Sequence, residues 1–403
     1  MFRPVEEQFA ILTRGAAQLE TADELKRKLA KSVTTGVPLR VKYGIDPTGF
    51  DVHLGHTVPL RKLRQFQDLG HTAVLIIGTA TAQVGDPSGR DDSRVGLTPE
   101  QIDANAASYL TQIAKVVDVT KAEVRPNGDW FRAFDFAKML KLLGSMTMQR
   151  MLERDDFSKR LQSGVPIYLH ECLYPLMQGH DSVEIRADVE LGGTEQLFNL
   201  MVGRNLQRDA KQEPQVAFTM PILRGLDGEK KMGKSLANYV GLAETPREQF
   251  GKTMRIPDAL MREWFTLLTS RDPADIDAVL AGKPNEAKKR LGADIVAGYH
   301  GPDAATQVLD DWRKQFEVGG DPDVIPEVTI PASELVEGTI AAAKLLALAG
   351  LVKSNGEGRR KCDEGAFNTG PDRTKPTDFK TPVAVTDGLI LRLGRAIVRV
   401  RLG

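Results

Sequence analysis

His53 and His56 stand three residues apart in His53-Leu54-Gly55-His56, and about 180 residues later Lys231 and Lys234 stand three apart in Lys231-Met232-Gly233-Lys234-Ser235. Either pair alone is ambiguous. Two histidines at this spacing can be surface residues, zinc ligands or donors to an anion. Zinc needs further ligands, and the two cysteines, Cys172 and Cys362, lie far apart and outside any ligand pattern. A basic run in a loop is ordinarily a solvated surface. Position favours the anion: the histidines fall at the predicted start of a helix, where unpaired N–H groups and the positive end of the dipole attract phosphate.

That helix is predicted from Leu60, Leu63, Phe66 and Leu69, with Pro59 in its first turn and Gly70 at its C-terminal cap. It follows a strand ending at Tyr43 and a turn rich in Gly, Pro and Asp. A second apolar run, His71 to Gly78, is typical of a strand buried on both faces. Strand, helix and strand with a glycine-rich exit begin a parallel α/β sheet, where ligands bind at the C-terminal strand ends. Residues 5–31 read as amphipathic helices. Residues 98–180 read as a mostly helical insertion (99–117, about 135–153, and 169–179), a possible oligomer interface. Val183 to Leu191 and Pro214 to Leu223 read as further strands, and the lysine loop follows the second of them.

The whole chain has 403 residues, enough for two or three domains, and equal numbers of basic and acidic residues, 54 of each. No global charge excess marks a polyanion partner, although local binding is still possible. Few cysteines, no signal-peptide core and no long apolar run point to a soluble protein of the reducing cytoplasm.

HxGH followed by KMxKS is the two-part signature of the class I aminoacyl-tRNA synthetases, and within them the chain resembles the bacterial tyrosyl-tRNA synthetases over nearly its whole length. The segments that carry the resemblance are YGIDPT (43–48), HLGH (53–56), GDPSGR (85–90), LYPLMQGHDS (173–182), ELGGTEQ (190–196) and KMGKS (231–235). The resemblance implies activation of L-tyrosine by ATP, with Mg²⁺ as the nucleotide's counterion, and transfer to the tRNA for tyrosine by a homodimer. It assigns the phosphates to Thr48, His53, His56, Lys231, Lys234, Arg90 and Arg94. Tyr43 and Asp181 match the pair that bonds the substrate phenol. Asp86, Tyr174 and Gln178 match the ammonium-binding group. Gln196, with Gly44, Asp46, Gly55, Gly192 and Glu195, matches contacts to the adenosine, its ribose or the adenylate. Three positions depart from the family pattern: Glu195 for the usual Asp, Gly233 for a serine that leaves the loop more mobile, and His180 for a Tyr beside Asp181.

The expected fold is a Rossmann-type parallel sheet with a helical insertion (1–243), an all-α domain for the anticodon arm (244–318), a linker (319–330) and a small α+β RNA-binding domain (331–403). From Pro326 onward the chain carries 12 basic and 9 acidic residues. A helix is predicted over Thr339–Leu348. A second, opened by a capping box at Ser354–Glu357, carries Arg359, Arg360 and Lys361 beside Lys353 as RNA-binding candidates, with Gly358 and Cys362 weakening it. Two other readings stand: a tryptophan-activating sibling, which usually lacks both the C-terminal module and the Tyr43–Asp181 combination, and a non-enzymatic RNA-binding paralogue, which would have lost HxGH or the lysines.

Overall fold

The computed structural model of the chain describes residues 2–48, 52–87, 98–316, 325–394 and 396–403. Arg90 and Arg94 lie outside these residues. Two compact units divide within the helix Pro302–Phe316: residues 1–308 and 309–403.

The first unit is built on six strands: β1 (Gln18–Glu20), β2 (Arg40–Ile45), β3 (Thr72–Ile77), β4 (Glu123–Pro126), β5 (Val189–Gly193) and β6 (Val216–Met220), in the order β1-β6-β5-β2-β3-β4. All neighbours run parallel except β1, which pairs antiparallel with β6 at the edge. Val41, Ala73, Leu75, Val189 and Phe218 are fully buried, as the unbroken apolar runs require of strands covered on both faces. The chain leaves β2 toward β3 and β4 and returns on the other side at β5, so strand order reverses between β2 and β5. A crevice opens at such a switch point, outside the C-terminal strand ends.

Several elements differ from expectation for local reasons. Within residues 5–31 the helices Val5–Thr13 and Ala22–Thr35 are separated by β1, three residues too short to carry a pattern. In the insertion, β4 holds only Glu-Val-Arg-Pro, and the stretch near 135–153 is two helices, Phe136–Leu143 and Met148–Leu152. Val183 to Leu191 alternates like a strand, yet the helix Leu173–Glu184 runs into it. Arg186, in the left-handed region at φ 50°, turns the chain before β5 begins.

The helix Leu54–Asp68 starts a turn and a half before the expected point, with His53 as its N-cap residue and Pro59 inside it. Proline lacks the N–H that would bond the carbonyl four residues earlier, so the Gly55 carbonyl gains no such bond. Both histidines therefore belong to the helix start itself.

Helices at Pro246–Thr253, Met261–Leu268, Pro273–Leu280 and Pro284–His300 fill most of the stretch expected to be all-α (244–318). They have no core of their own: Trp264, Phe265, Leu291 and Ile295 pack in the same cluster as Leu63 and Phe218. No helix among the described residues is long and apolar enough to cross a membrane.

The second unit has its own core, including Ile330, Leu345, Phe367, Leu391 and Val400. A four-stranded sheet joins Glu327–Ile330, Ala396–Leu402, Ile390–Leu393 and Phe367–Thr369 in that order, so the end of the expected linker is a strand. A two-stranded sheet pairs Thr339–Ala341 with Pro382–Ala384, and the first helix begins only at Ala342. Ser354 caps the second helix, Asn355–Asp363. Gly358 and Cys362 form its inward face. A Cβ on Gly358 would lie 2.7 Å from the Ala343 carbonyl oxygen, so glycine is what lets the two helices approach.

Candidate active site

The crevice between β2 and β5 is a cavity of about 490 Å³. Tyr43, Gly44, Asp46 and Thr48 reach it from the end of β2, and Gly192, Glu195 and Gln196 from the end of β5. Tyr174, Gln178 and Asp181 come from the helix Leu173–Glu184, where steps of four and three put them on one face. His53, Gly55 and His56 line it from the start of the helix Leu54–Asp68, and Asp86 and Lys231 also line it. Lys234 is exposed beside the cavity and is not one of its lining residues; its charge still acts on both histidines.

Asp181 lies at a buried position, 3% exposed, and accepts hydrogen bonds from Trp130 Nε1 (3.0 Å) and Asn127 Nδ2 (3.3 Å). Burial pushes its carboxyl up to about 7, against the pull of the Lys42 charge and of those two donors. An ionised carboxylate with two donors in place can still take a third, such as a phenolic O–H. Tyr43, expected beside Asp181, instead neighbours Glu195 and Tyr109, because successive β2 side chains alternate faces and Lys42 takes the Asp181 side; burial holds its phenol protonated well above its ordinary range.

Nearby, acceptors gather. The Tyr174 hydroxyl donates to Asp46 Oδ2 (2.8 Å), which leaves its oxygen lone pairs to face the cavity. Asn199 Nδ2 donates to Gln178 Oε1 and Gln196 Oε1, both at 2.9 Å. Asp86 accepts from Gln196 Nε2 at 2.6 Å and lies 3.5 Å from Arg154. A carboxylate, an amide oxygen and a phenol oxygen converge, an arrangement suited to an ammonium group. Asp46 is bound on both oxygens, by Tyr174 and by Thr81 Oγ1 (2.7 Å), so it braces this end of the cavity. Gly78 makes room for it: a Cβ there would sit 1.9 Å from Asp46 Oδ1.

The opposite end is rich in donors. His56 Nδ1 accepts the His53 backbone N–H at 3.2 Å, which places the proton of neutral His56 on Nε2. The two imidazoles stack with centroids 3.8 Å apart. Burial, then His56 and the Lys234 and Lys231 charges, pulls His53 down to about 2; burial and Lys234 pull His56 down to about 4. Both rings are neutral at pH 7. The buried His53 Nδ1 has no hydrogen-bond partner among the described residues.

The lysine loop is a hairpin pinned by Asn238, 4% exposed, whose side chain bonds Gly233 N–H (2.8 Å), Asp227 (2.6 Å) and the Lys231 carbonyl (3.1 Å). Gly233 is tethered rather than loose, and a Cβ on it meets only Leu236, at 4.0 Å. Glu195 folds toward Gly193 at the cavity rim. His180 packs on Phe131 and Phe134, with Nε2 3.0 Å from Glu184.

Sequence reasoning missed Asn127, Trp130, Arg154 and Asn199, which hold the lining residues from behind; no spacing in the sequence links them to the site. Among the described residues no three His, Cys, Asp or Glu side chains gather as metal ligands.

Residues 34–317 match the family model of class I tRNA synthetases for tryptophan and tyrosine. The tyrosine–tRNA ligase of Symbiobacterium thermophilum is 49% identical, covering 98% of this chain and 97% of its own, and that of Geobacter sulfurreducens is 46% identical, with 97% of each covered. The chain belongs to the class I tyrosine–tRNA ligase family. The fold agrees with solved tyrosyl-tRNA synthetases from Aspergillus nidulans mitochondria (TM-score 0.62, 21% identity, covering 77% of this chain and 99% of that one) and from Archaeoglobus fulgidus, complexed with L-tyrosine (0.61, 21%, 76% and 100%). In the terms of this ligase family, the cavity has an acceptor-rich end and a donor-rich end within one crevice.

An Asp181 that ionises near pH 7 predicts a pH profile. The Michaelis constant for tyrosine should fall as pH rises from 6 to 8, and Asp181→Asn should give a high, flat value. Folded Asp181 also holds its proton more tightly than the ordinary value of 3.8 allows, so its contribution lowers stability as pH rises from about 4 to about 7. Thermal melts of the unliganded enzyme should lose that slope in Asp181→Asn.

Proposed function

We propose that this chain is a tyrosine–tRNA ligase that activates L-tyrosine with ATP, releases pyrophosphate and transfers the tyrosyl group to the 3′-terminal adenosine of the tRNA for tyrosine. One observation carries the reading: a buried carboxylate with room for a phenolic donor stands in the same cavity as the His53, His56 and Lys231 donor cluster. Asp181 binds the phenol, and Asp86, Tyr174 and Gln178 bind the ammonium; Tyr43, beside Glu195, belongs with the residues that face the adenosine. The substrate carboxylate, ionised at pH 7, attacks the α-phosphate without a general base. Charge then builds on the departing pyrophosphate. Neutral His56 donates from Nε2, and the lysine ammonium groups supply positive charge, so the chain catalyses mainly by positioning and electrostatics. ATP enters as its Mg²⁺ complex. Thr48, Arg90 and Arg94 complete the phosphate set, and Gly44, Gly55, Gly192, Glu195 and Gln196 leave space and polar groups for the adenosine. Phenylalanine would bury the Asp181 carboxylate without its third donor, and that unmade bond is what selects against it. Tryptophan presents its N–H from a larger ring system, so it is the weaker reading.

The test is ATP–pyrophosphate exchange with tyrosine, tryptophan, phenylalanine or no amino acid. Exchange should require tyrosine. His56→Ala and Lys234→Ala should each slow it by about 10²–10³, or about 2.7–4 kcal/mol, with unchanged melting temperature. Near-normal exchange in both variants removes the phosphate assignment.

The insertion supports a homodimer. Phe136 (79% exposed), Leu140 and Leu143 share one exposed helical face, and Leu161, Tyr168 and Leu169 are also exposed. Monomers rarely leave such apolar surface in contact with water. In analytical ultracentrifugation the unchanged chain should sediment as a dimer, and Phe136→Glu with Leu140→Glu should yield monomers.

In the second unit Lys353, Arg359 and Arg360 are exposed, which suits contact with an RNA backbone in the cytoplasm. Arg359 lies over the Phe379 ring at 4.3 Å, and Lys361 is paired with Glu364 at 2.6 Å, so Lys353 and Arg360 are the stronger candidates.

A further inference from the structure

Beneath the acceptor-rich end lies a charge pair that the proposed chemistry does not use. Lys42 on β2 and Glu190 on β5 are register partners across the switch point, 0% and 1% exposed. Lys42 Nζ lies 2.9 Å from Glu190 Oε1 and also donates to the Gln178 carbonyl (2.6 Å) and to Ser182 Oγ (2.8 Å). Glu190 accepts in addition from Gln178 Nε2 (3.1 Å), from Ser182 Oγ (3.1 Å) and from Gln215 Nε2. Desolvating two charges is expensive, and a well-packed apolar pair is often as stable or more so. The pair's geometry assigns it a further task.

We propose that Lys42 and Glu190 are positioning residues that fix the orientation of the Gln178 side-chain amide for the substrate ammonium. An ammonium group donates only, so Gln178 must show it the oxygen and not the NH₂. A flipped amide would set donor against donor. The Glu190 carboxylate, paired with Lys42, accepts only, so it takes the Gln178 NH₂ while Asn199 Nδ2 donates to the oxygen, and together these bonds forbid the flip. The same Lys42 ammonium, bonded to the Gln178 carbonyl and to Ser182, also holds the Gln178 backbone to β2, so the amide keeps its height above the sheet. This rests on the tyrosine reading of the cavity.

The test compares L-tyrosine with 3-(4-hydroxyphenyl)propionate, which keeps the phenol and carboxylate and lacks the ammonium. Lys42→Met with Glu190→Gln preserves shape and removes both charges, and glutamine can pair with either face of the Gln178 amide. Binding is measured by calorimetry, with a melting curve on each variant. The expected result is a loss of tenfold or more in tyrosine affinity, with the affinity for the propionate within twofold of the unchanged chain. Equal losses for both ligands, or no loss for tyrosine, overturn the proposal. Should the double variant unfold, Glu190→Gln alone, which keeps every heavy-atom position, serves the same comparison with the same outcomes. If the unchanged chain itself binds no tyrosine, the functional reading fails and this one with it; if it binds tyrosine and the variants match it, only the positioning role fails.

Discussion

Two short segments, distant in sequence, are joined by backbone hydrogen bonds, and the site depends on that join. Leu54 N–H donates to the Val240 carbonyl at 2.9 Å, and Leu242 N–H to the Val52 carbonyl at 2.8 Å, with His53 bridged to Gly241 between them. Buried Gln249 bonds the Gly241 carbonyl at 2.9 Å, and the Tyr299 hydroxyl bonds Thr57, next to His56, at 2.9 Å. Each such bond contributes about 1 kcal/mol net, and leaving a buried partner unmade costs about 1–3 kcal/mol. The helix start that carries the histidines and the root of the lysine hairpin therefore move as one body. The helical stretch after the hairpin belongs to the same core, which explains why no separate packing marks its beginning.

The remainder of the site is a division of labour across a switch point. At one end neutral histidines and lysines offer donors to an anion, and at the other carboxylate, amide and phenol oxygens offer acceptors to an ammonium. Behind the acceptors runs a continuous polar network from Lys42 and Glu190 through Gln178, Asn199 and Gln196 to Asp86 and Arg154. Buried polar groups of this kind are costly unless every member is bonded, and a bonded network holds its members in one arrangement. Arg154 comes from the insertion, so the segment that presents the exposed apolar face also supplies a buried cation to the site.

The sequence made the motif residues and the parallel sheet legible because their signals are local: a glycine-rich exit after a buried strand, or paired basic groups at fixed spacing. Short edge strands were not legible, since three or four residues such as Gln18–Glu20 show no period. The Val183–Leu191 alternation misled because a helix ending at Glu184 and a left-handed Arg186 happen to share the spacing of a strand. Pro59 misled because a proline deep in a helix is the rarer case. The supporting groups were invisible for a different reason. Asn127, Trp130 and Asn199 act through tertiary contacts alone, and a lysine at 42 followed by a glutamate at 190 carries no sign that both are buried together. Gly358 and Cys362 looked like helix weaknesses until the neighbouring helix supplied the reason for them.

The central claim is that the histidine start and the lysine hairpin act on one phosphate group as a single unit. A double-mutant cycle with His56→Ala and Lys234→Ala, read on single-turnover formation of the aminoacyl-adenylate, tests it most directly. Non-additive losses, with a coupling of about 0.5–3 kcal/mol, are expected; losses that add within about 0.3–0.5 kcal/mol would contradict a shared grip on the phosphate.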